Sequence, residues 1–117
     1  MEELARCGLR HVCICPGSRS SPLTISFARH PDIKKWVHLD ERSASFFALG
    51  MARSLGEPVA LVCTSGTAAA NLYPAVAEAR LSLVPVILLT ADRPPEVSEW
   101  GALRTSNQPN MYGPHAK

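Results

Sequence analysis

Three polar side chains that could hold an anion stand beside apolar runs of this sequence: Ser18, Arg19 and Arg93. Ser18 and Arg19 precede a predicted helix start, where backbone amides favour anions, and an arginine can grip a carboxylate or phosphate with two parallel hydrogen bonds. Arg93 stands before two prolines, which would hold it stiffly. The pattern predicts a site for an acidic ligand. The structural alternatives are a capping serine, solvated arginines, and an ion pair of Arg93 with Asp92 or Glu96.

Two adjacent carboxyl groups, Asp40 and Glu41, lie where a predicted strand meets a predicted helix. A carboxyl group in this position can exchange a proton with a ligand nitrogen. The structural alternative is helix capping, since acidic residues are favoured electrostatically in the first turn of a helix. The sequence leaves both interpretations open.

A turn of small residues, Thr64, Ser65, Gly66 and Thr67, lies between an apolar run and a helix, and Asn71 follows in that helix. Such a turn lets the backbone pass close to a ligand. Ordinary strand-to-helix turn chemistry and a local hydrogen bond from Asn71 are the alternatives. Neither a G-x-G-x-x-G motif nor a glycine-rich turn followed by Lys-Ser/Thr is present, which disfavours dinucleotide and P-loop sites.

Length and composition limit the classes of protein to consider. The 117 residues suffice for one domain with a single core and are too few for two. A net charge of +2 is too small to predict nucleic acid or an anionic membrane as a partner. No apolar run approaches the ~18 residues of a membrane span, and the acidic N-terminus lacks the apolar core of a signal peptide. We expect a cytoplasmic domain without membrane insertion.

The cysteines and histidines do not predict a metal site. Cys13 and Cys15 form a single C-x-C pair without a second one, and the histidines share no common spacing. A disulfide framework is not expected in a chain with this much apolar sequence. We therefore expect buried free thiols in a reducing cytosol.

The elements that must position these residues alternate between strand and helix. Apolar runs predict strands at His11–Cys15, Trp36–Leu39, Val59–Cys63 and Val84–Leu89, the last two buried on both faces. Helices are predicted from Met1 to about Cys7, from Ser20-Ser21-Pro22 to about His30, from Asp40 or Glu41 to Gly56, and from Thr67 to about Leu81 with a kink at Pro74. From about residue 96 the chain is loop-like.

This alternation predicts an α/β fold with three layers: a mostly parallel sheet with helices on both faces. In such sheets, ligands bind beyond the carboxyl ends of the strands. All of the polar segments described above follow predicted strands, so we expect four loops to form one site. The short opening helix and the unclosed tail suggest a single domain, residues 1–117, truncated at both ends.

Four sequence blocks together resemble a known family: Cys15–Thr24, His38–Gly50, Val62–Val76 and Leu88–Glu96. In this order they are similar to the thiamine diphosphate-dependent synthases of 2-succinyl-5-enolpyruvyl-6-hydroxy-3-cyclohexene-1-carboxylate, which act in menaquinone biosynthesis. The resemblance covers about Gly8 to Glu96. The Thr-Ser-Gly…Asn element alone would be a weak signal, because many thiamine diphosphate enzymes contain something similar.

The resemblance implies that the chain is the N-terminal pyrimidine-binding domain of a three-domain enzyme. Glu41 would hydrogen-bond the aminopyrimidine ring of thiamine diphosphate, while Ser18, Arg19 and Arg93 would line the site for substrate carboxylates. The diphosphate and Mg²⁺ would be held by a C-terminal domain beyond these residues. The other residues implied at the cofactor are Thr64, Ser65, Gly66, Thr67 and Asn71.

The implied reaction decarboxylates 2-oxoglutarate and adds the succinic semialdehyde unit to isochorismate. The full-length enzyme would be a homodimer or homotetramer, and these residues alone would be inactive. Leu103-Arg104 stands where the family usually has Asn-Gln, so a positive charge replaces the glutamine expected at the intermediate. The alternatives are a domain of another thiamine diphosphate 2-oxoacid decarboxylase or lyase, and a non-catalytic α/β domain used for assembly or anion binding.

Overall fold

The computed structural model describes residues 1–94 and 107–117. Its sheet has four strands, all parallel, in the order β2-β1-β3-β4. Apolar side chains at nearly every position of the central strands favour a parallel sheet that is covered on both faces. The strands are β1 (His11–Ile14), β2 (Lys34–Val37), β3 (Val59–Cys63) and β4 (Val86–Thr90).

Helices connect the strands and close the fold. They are α1 (Glu2–Arg6), α2 (Ser21–Arg29), α3 (Glu41–Leu55), α4 (Thr67–Ala70) and α5 (Tyr73–Leu81), with short 3-10 turns at Ser18–Ser20 and Gly113–His115. The longest helix, α3, ends at Gly56, whose φ of 69° is the left-handed conformation typical of a glycine at a helix end. Within the described residues, no helix is long and apolar enough to cross a membrane.

Two hydrophobic cores lie on opposite faces of the sheet, because neighbouring strand residues point to opposite sides. Val12 and Ile14 join the core with α1 and α2, whereas Cys13 and Leu61 join the core with α3, α4 and α5. The core on the α3 side is rich in alanine and the other contains larger side chains, Phe27 among them. The predicted three-layer α/β fold is therefore confirmed.

Three details of the predicted elements are wrong. β2 lies two residues earlier than predicted, because its last pairing residue, Val37, faces the last residue of β1, and Leu39 is 99% exposed. The helix predicted over 67–81 is broken into α4 and α5, with Pro74 in the first turn of α5, where a missing N–H costs nothing. β4 begins two residues later than predicted and is half-buried rather than buried on both faces, because it is one of the two edge strands of the described sheet.

Candidate functional site

The carboxyl ends of all four strands meet at one edge of the sheet, where residues 15–20, 38–40, 64–66 and 91–94 form a rim of loops. Backbone hydrogen bonds carry the strand pairing into the rim. Cys15 N donates to Val62 O over 2.9 Å, and Ala91 N donates to Cys63 O over 3.1 Å. The predicted placement of the four loops at one edge is therefore confirmed.

The loop after β1 fits against the loop after β3 only because residue 17 is glycine. A Cβ on Gly17 would lie 2.5 Å from Thr64 Cβ, well inside van der Waals contact. Two hydroxyl groups stabilise the same turn: Ser20 Oγ donates to Gly17 O over 3.0 Å, and Ser21 Oγ donates to it over 3.3 Å. Ser20 holds the N-cap position of α2, but its hydroxyl makes this bond and does not cap the helix.

Ser18 and Arg19 lie on the 3-10 turn that precedes α2, and both are exposed. Their side chains therefore lie at the surface of the rim, beside the tight contact between Gly17 and Thr64. An exposed guanidinium and hydroxyl at a helix start can bind an acidic ligand that approaches from outside this domain.

The two adjacent carboxyl groups have different surroundings. Asp40 caps α3, because its Oδ1 accepts a hydrogen bond of 2.7 Å from Ser43 N, and this bond holds the pKa of Asp40 below its usual value. Glu41 is the first residue of α3 and is half-buried. Its carboxylate is near enough to Cys15 and Cys63 for its charge to contribute to the raised pKa of both thiols. Helix capping therefore accounts for Asp40, and Glu41 lies at the ends of β1 and β3.

Three thiols lie at or below the rim. Cys13, Cys15 and Cys63 are buried, and burial is the main reason why the pKa of each is raised to about 12. Cys7 is exposed, so the prediction of buried thiols is confirmed for three cysteines and wrong for this one, which lies just after the short helix α1. No group of three or more His, Cys, Asp or Glu that could hold a metal ion occurs among the described residues.

The turn after β3 forms a closed surface. Thr64 and Ser65 are 7% and 1% exposed, and Gly66 has φ 77° and ψ −134°, a conformation that favours glycine. Thr67 begins α4 and Asn71 ends it, and both are exposed. Of residues 64–67 only Thr67 is exposed, so a ligand would meet the turn at the start of α4, and Asn71 lies one helical turn further along.

A residue that sequence reasoning missed, Gln108, joins two of the rim loops. Its Oε1 accepts a hydrogen bond of 2.9 Å from Gly66 N, and its Nε2 donates one of 3.0 Å to Ala91 O. Tyr112 fixes the same segment, because its hydroxyl donates to Ala69 O over 2.9 Å and burial raises its pKa to about 12. The segment has no periodic apolar pattern, so the sequence held no signal for these contacts.

Arg93 lies just beyond β4 and is half-buried. Its backbone N–H donates to Asp92 Oδ1 over 2.7 Å, which fixes the backbone at this position. Glu96, the other partner considered for Arg93, lies outside the described residues, as does Arg104. The rim therefore carries Ser18, Arg19, Glu41, Arg93 and residues 64–67, and their chemical roles remain predictions.

Comparison with known proteins agrees with this architecture. The family model described as "Thiamine pyrophosphate enzyme, N-terminal TPP binding domain" matches residues 1–111. In solved structures, the chain is similar to benzoylformate decarboxylase from Polynucleobacter necessarius, with a TM-score of 0.85 and 24% identity, over 99% of this chain and 22% of that one. At this identity the structural likeness shows the fold alone.

Curated relatives named 2-succinyl-5-enolpyruvyl-6-hydroxy-3-cyclohexene-1-carboxylate synthase are similar over nearly the whole chain. The protein of Haloarcula marismortui is 63% identical over 95% of this chain and 19% of its own length. That of Chloroflexus aurantiacus is 58% identical over 96% and 19%, and that of Listeria monocytogenes 55% identical over 100% and 20%. The resemblance found in the sequence is confirmed, and the chain spans about a fifth of the length of these relatives.

Proposed function

We propose a function from one premise: this chain belongs to the thiamine pyrophosphate enzymes, as their N-terminal TPP-binding domain. The protein that contains it decarboxylates 2-oxoglutarate and adds the succinic semialdehyde unit to isochorismate, as a step of menaquinone biosynthesis. The relatives named as this synthase, at 55–63% identity over nearly the whole chain, support the proposal.

The chain supplies one half of a shared site in this proposal. Residues 1–117 are a single domain that binds the pyrimidine ring of thiamine diphosphate, and the remainder of the protein holds the diphosphate with Mg²⁺. The full-length protein is a homodimer or homotetramer of the cytoplasm, in which a neighbouring subunit completes the site.

One observation carries the proposal: Glu41 lies at the rim, and its carboxylate is not needed to cap α3. Asp40 already accepts the hydrogen bond from Ser43 N, so the start of α3 does not require Glu41 as a cap. The turn of Thr64, Ser65 and Gly66 lies at the same edge of the sheet, and the charge of Glu41 contributes to the raised pKa of Cys63, the last residue of β3. A carboxyl group near a turn of small residues fits an aminopyrimidine ring, which offers a basic nitrogen and a planar face.

When bound, thiamine diphosphate would supply a carbon nucleophile for the 2-oxo acid and a positively charged ring as the electron sink for decarboxylation. Glu41 holds a proton at the ring nitrogen and exchanges it there, as a general acid and base. Thr64 to Thr67 and Asn71 line the side of the cofactor site that this domain provides. Ser18, Arg19 and Arg93 bind the carboxylates of the substrates, since arginine and carboxylate form strong, charge-assisted hydrogen bonds.

The decisive test is Glu41→Gln in the full-length protein. The variant keeps the size of the side chain and one hydrogen bond but cannot exchange the proton. We expect turnover of 2-oxoglutarate with isochorismate to fall by about a hundredfold or more, at unchanged melting temperature. The matched control is Asp40→Asn, which retains an N-cap and should keep near-normal turnover.

Near-normal turnover of Glu41→Gln would exclude the proton-exchange role and remove the basis of the proposal. Assays with 2-oxoglutarate alone and with other 2-oxo acids separate the proposed synthase from a simple decarboxylase. This comparison is informative because Arg104 replaces the family's glutamine in this chain.

A further inference from the structure

We infer that Gln108 is a positioning residue whose side-chain amide holds the loop after β3 and the loop after β4 in a fixed relation. These are the loops that carry the proposed cofactor surface and Arg93, so what they bind rests on the function proposed above. The described segment 107–117 returns to the rim and places the amide of Gln108 between Gly66 and Ala91.

The two hydrogen bonds use both ends of one planar group. Oε1 accepts from Gly66 N at 2.9 Å and Nε2 donates to Ala91 O at 3.0 Å, both ordinary lengths for strong bonds. Because a backbone N–H can only donate and a carbonyl can only accept, these partners fix the orientation of the amide. A carboxylate of the same shape could serve Gly66 but not Ala91, and an apolar side chain could serve neither.

The two hydrogen bonds from Gln108 to Gly66 and Ala91 form a bridge, and this bridge lies beyond the point where strand pairing holds the two loops together. The pairing of β3 with β4 extends as far as the bond from Ala91 N to Cys63 O. Gly66, three residues beyond Cys63, is the N-cap of α4, and its N–H is one of the donors that a helix start leaves without a partner in the helix. Gln108 satisfies this donor from outside the helix, so the turn and the β4 loop acquire a common anchor.

The segment that carries Gln108 is itself well fixed. Met111 N donates to Gln108 O over 3.0 Å, and the Tyr112 hydroxyl donates to Ala69 O over 2.9 Å. Met111 and Tyr112 also pack against the core beneath α3, α4 and α5. The amide of Gln108 therefore starts from a rigid base, so the positions of Gly66 and Ala91 depend on a segment distant in sequence.

If this bridge positions both loops, its loss must affect two ligands at once. The turn at Gly66 belongs to the proposed cofactor surface, and Ala91 is two residues from Arg93, which is proposed to bind a substrate carboxylate. Removal of Arg93 alone would weaken only the substrate. A simultaneous loss of affinity for both ligands is therefore the result expected if Gln108 positions both loops.

The test compares Gln108→Leu, Gln108→Glu and the control Asn107→Ala in the full-length protein. Hydrogen exchange is measured without ligands, in peptides that cover Gly66 and Ala91–Arg93. The Kd for thiamine diphosphate and the KM for isochorismate are measured for the same variants. For Gln108→Leu we expect about tenfold faster exchange in both peptides and an about tenfold higher Kd and KM, the effect of one lost, partly buried hydrogen bond at each loop. Exposed Asn107 should tolerate the change to alanine.

Gln108→Glu should separate the two loops. Its carboxylate keeps an acceptor for Gly66 N–H but places an oxygen against Ala91 O, so exchange at Ala91–Arg93 and the KM for isochorismate should rise while the Kd for the cofactor stays near normal. If Gln108→Leu lowers only the melting temperature and leaves exchange at both loops, Kd and KM unchanged, the inference is overturned. A wild-type protein that does not use isochorismate would refute the proposed synthase activity, and exchange at the two loops would still decide the role of Gln108.

Discussion

The rim has two parts: a closed part, whose residues pack against one another, and an open part, whose side chains are exposed. At the junction of the loops after β1 and β3, Gly17 touches Thr64 and the side chain of Ser65 is 1% exposed. Ser18 and Arg19, next in sequence to Gly17, are exposed. The closed part fixes a shape through packing, whereas the open part offers charge to a ligand or to another part of the protein. A side chain in the closed part should thus affect stability, and one in the open part should affect binding.

The sharpest test of the closed part uses the thiols beneath it. Burial raises the pKa of Cys15 and Cys63 to about 12, so at pH 8 they should carry about a thousandfold less reactive thiolate than an ordinary thiol. We expect a thiol reagent to label the exposed Cys7 rapidly and to leave Cys15 and Cys63 unmodified until the protein unfolds. Mass spectrometry of the labelled peptides reads each site separately.

The raised pKa values of the same thiols predict the direction in which the stability of the fold changes with pH. The folded state keeps their protons at a pH where the unfolded chain has lost them, so their contribution to stability is complete below the ordinary thiol pKa of about 9. It should decrease as the pH rises from there toward 12. Rapid labelling of Cys15 in the folded protein would contradict the description of this part of the rim as closed.

The open part is tested by Arg19→Ala, and the half-buried arginine on the same rim by Arg93→Ala, both in the full-length protein. Each guanidinium is proposed to hold a substrate carboxylate, a contact worth roughly 1.5–3 kcal/mol. We expect kcat/KM for isochorismate to fall by about 10- to 100-fold, with little change in the affinity for thiamine diphosphate. Arg53→Ala, in the last turn of α3 and so at the far end of the helix from the rim, is the control. Unchanged kinetics in both rim variants would show that these arginines do not bind substrate.

A pair of glycine substitutions has the smallest expected effect and compares the closed part with an exposed helix. Gly17→Ala would bring a Cβ to 2.5 Å from Thr64 Cβ, and overpacking of this kind costs about 1–3 kcal/mol of unfolding free energy. Gly50→Ala, in α3, meets nothing within 4 Å and should add up to about 1 kcal/mol, because alanine favours the helix. Urea unfolding of both variants measures the contrast. Equal stability would mean that the loops of the rim can separate without cost.

The sequence was sufficient to predict the three-layer fold and the edge of the sheet that carries the site, because apolar runs and strand-to-helix turns are local signals. Particular elements show where local reasoning failed. The apolar run Trp36–Leu39 predicts a strand, but β2 lies two residues earlier, because its pairing with β1 depends on residues far away in sequence. The same holds for Gln108, whose partners Gly66 and Ala91 are distant along the chain. Contacts that exist only between distant segments leave no periodic pattern.

The strand order β2-β1-β3-β4 also has a consequence for the synthesis of the protein. β1 leaves the ribosome before one of its two neighbours, β3, which ends only at Cys63. At a translation rate of about 5–20 residues per second, one edge of β1 therefore waits for seconds with its backbone N–H and C=O groups unpaired. Parallel pairing across such a separation is slow for entropic reasons as well. The nascent chain should thus be a substrate for chaperones until β3 has emerged, and a ribosome-bound chain that ends before Val59 should bind them most strongly.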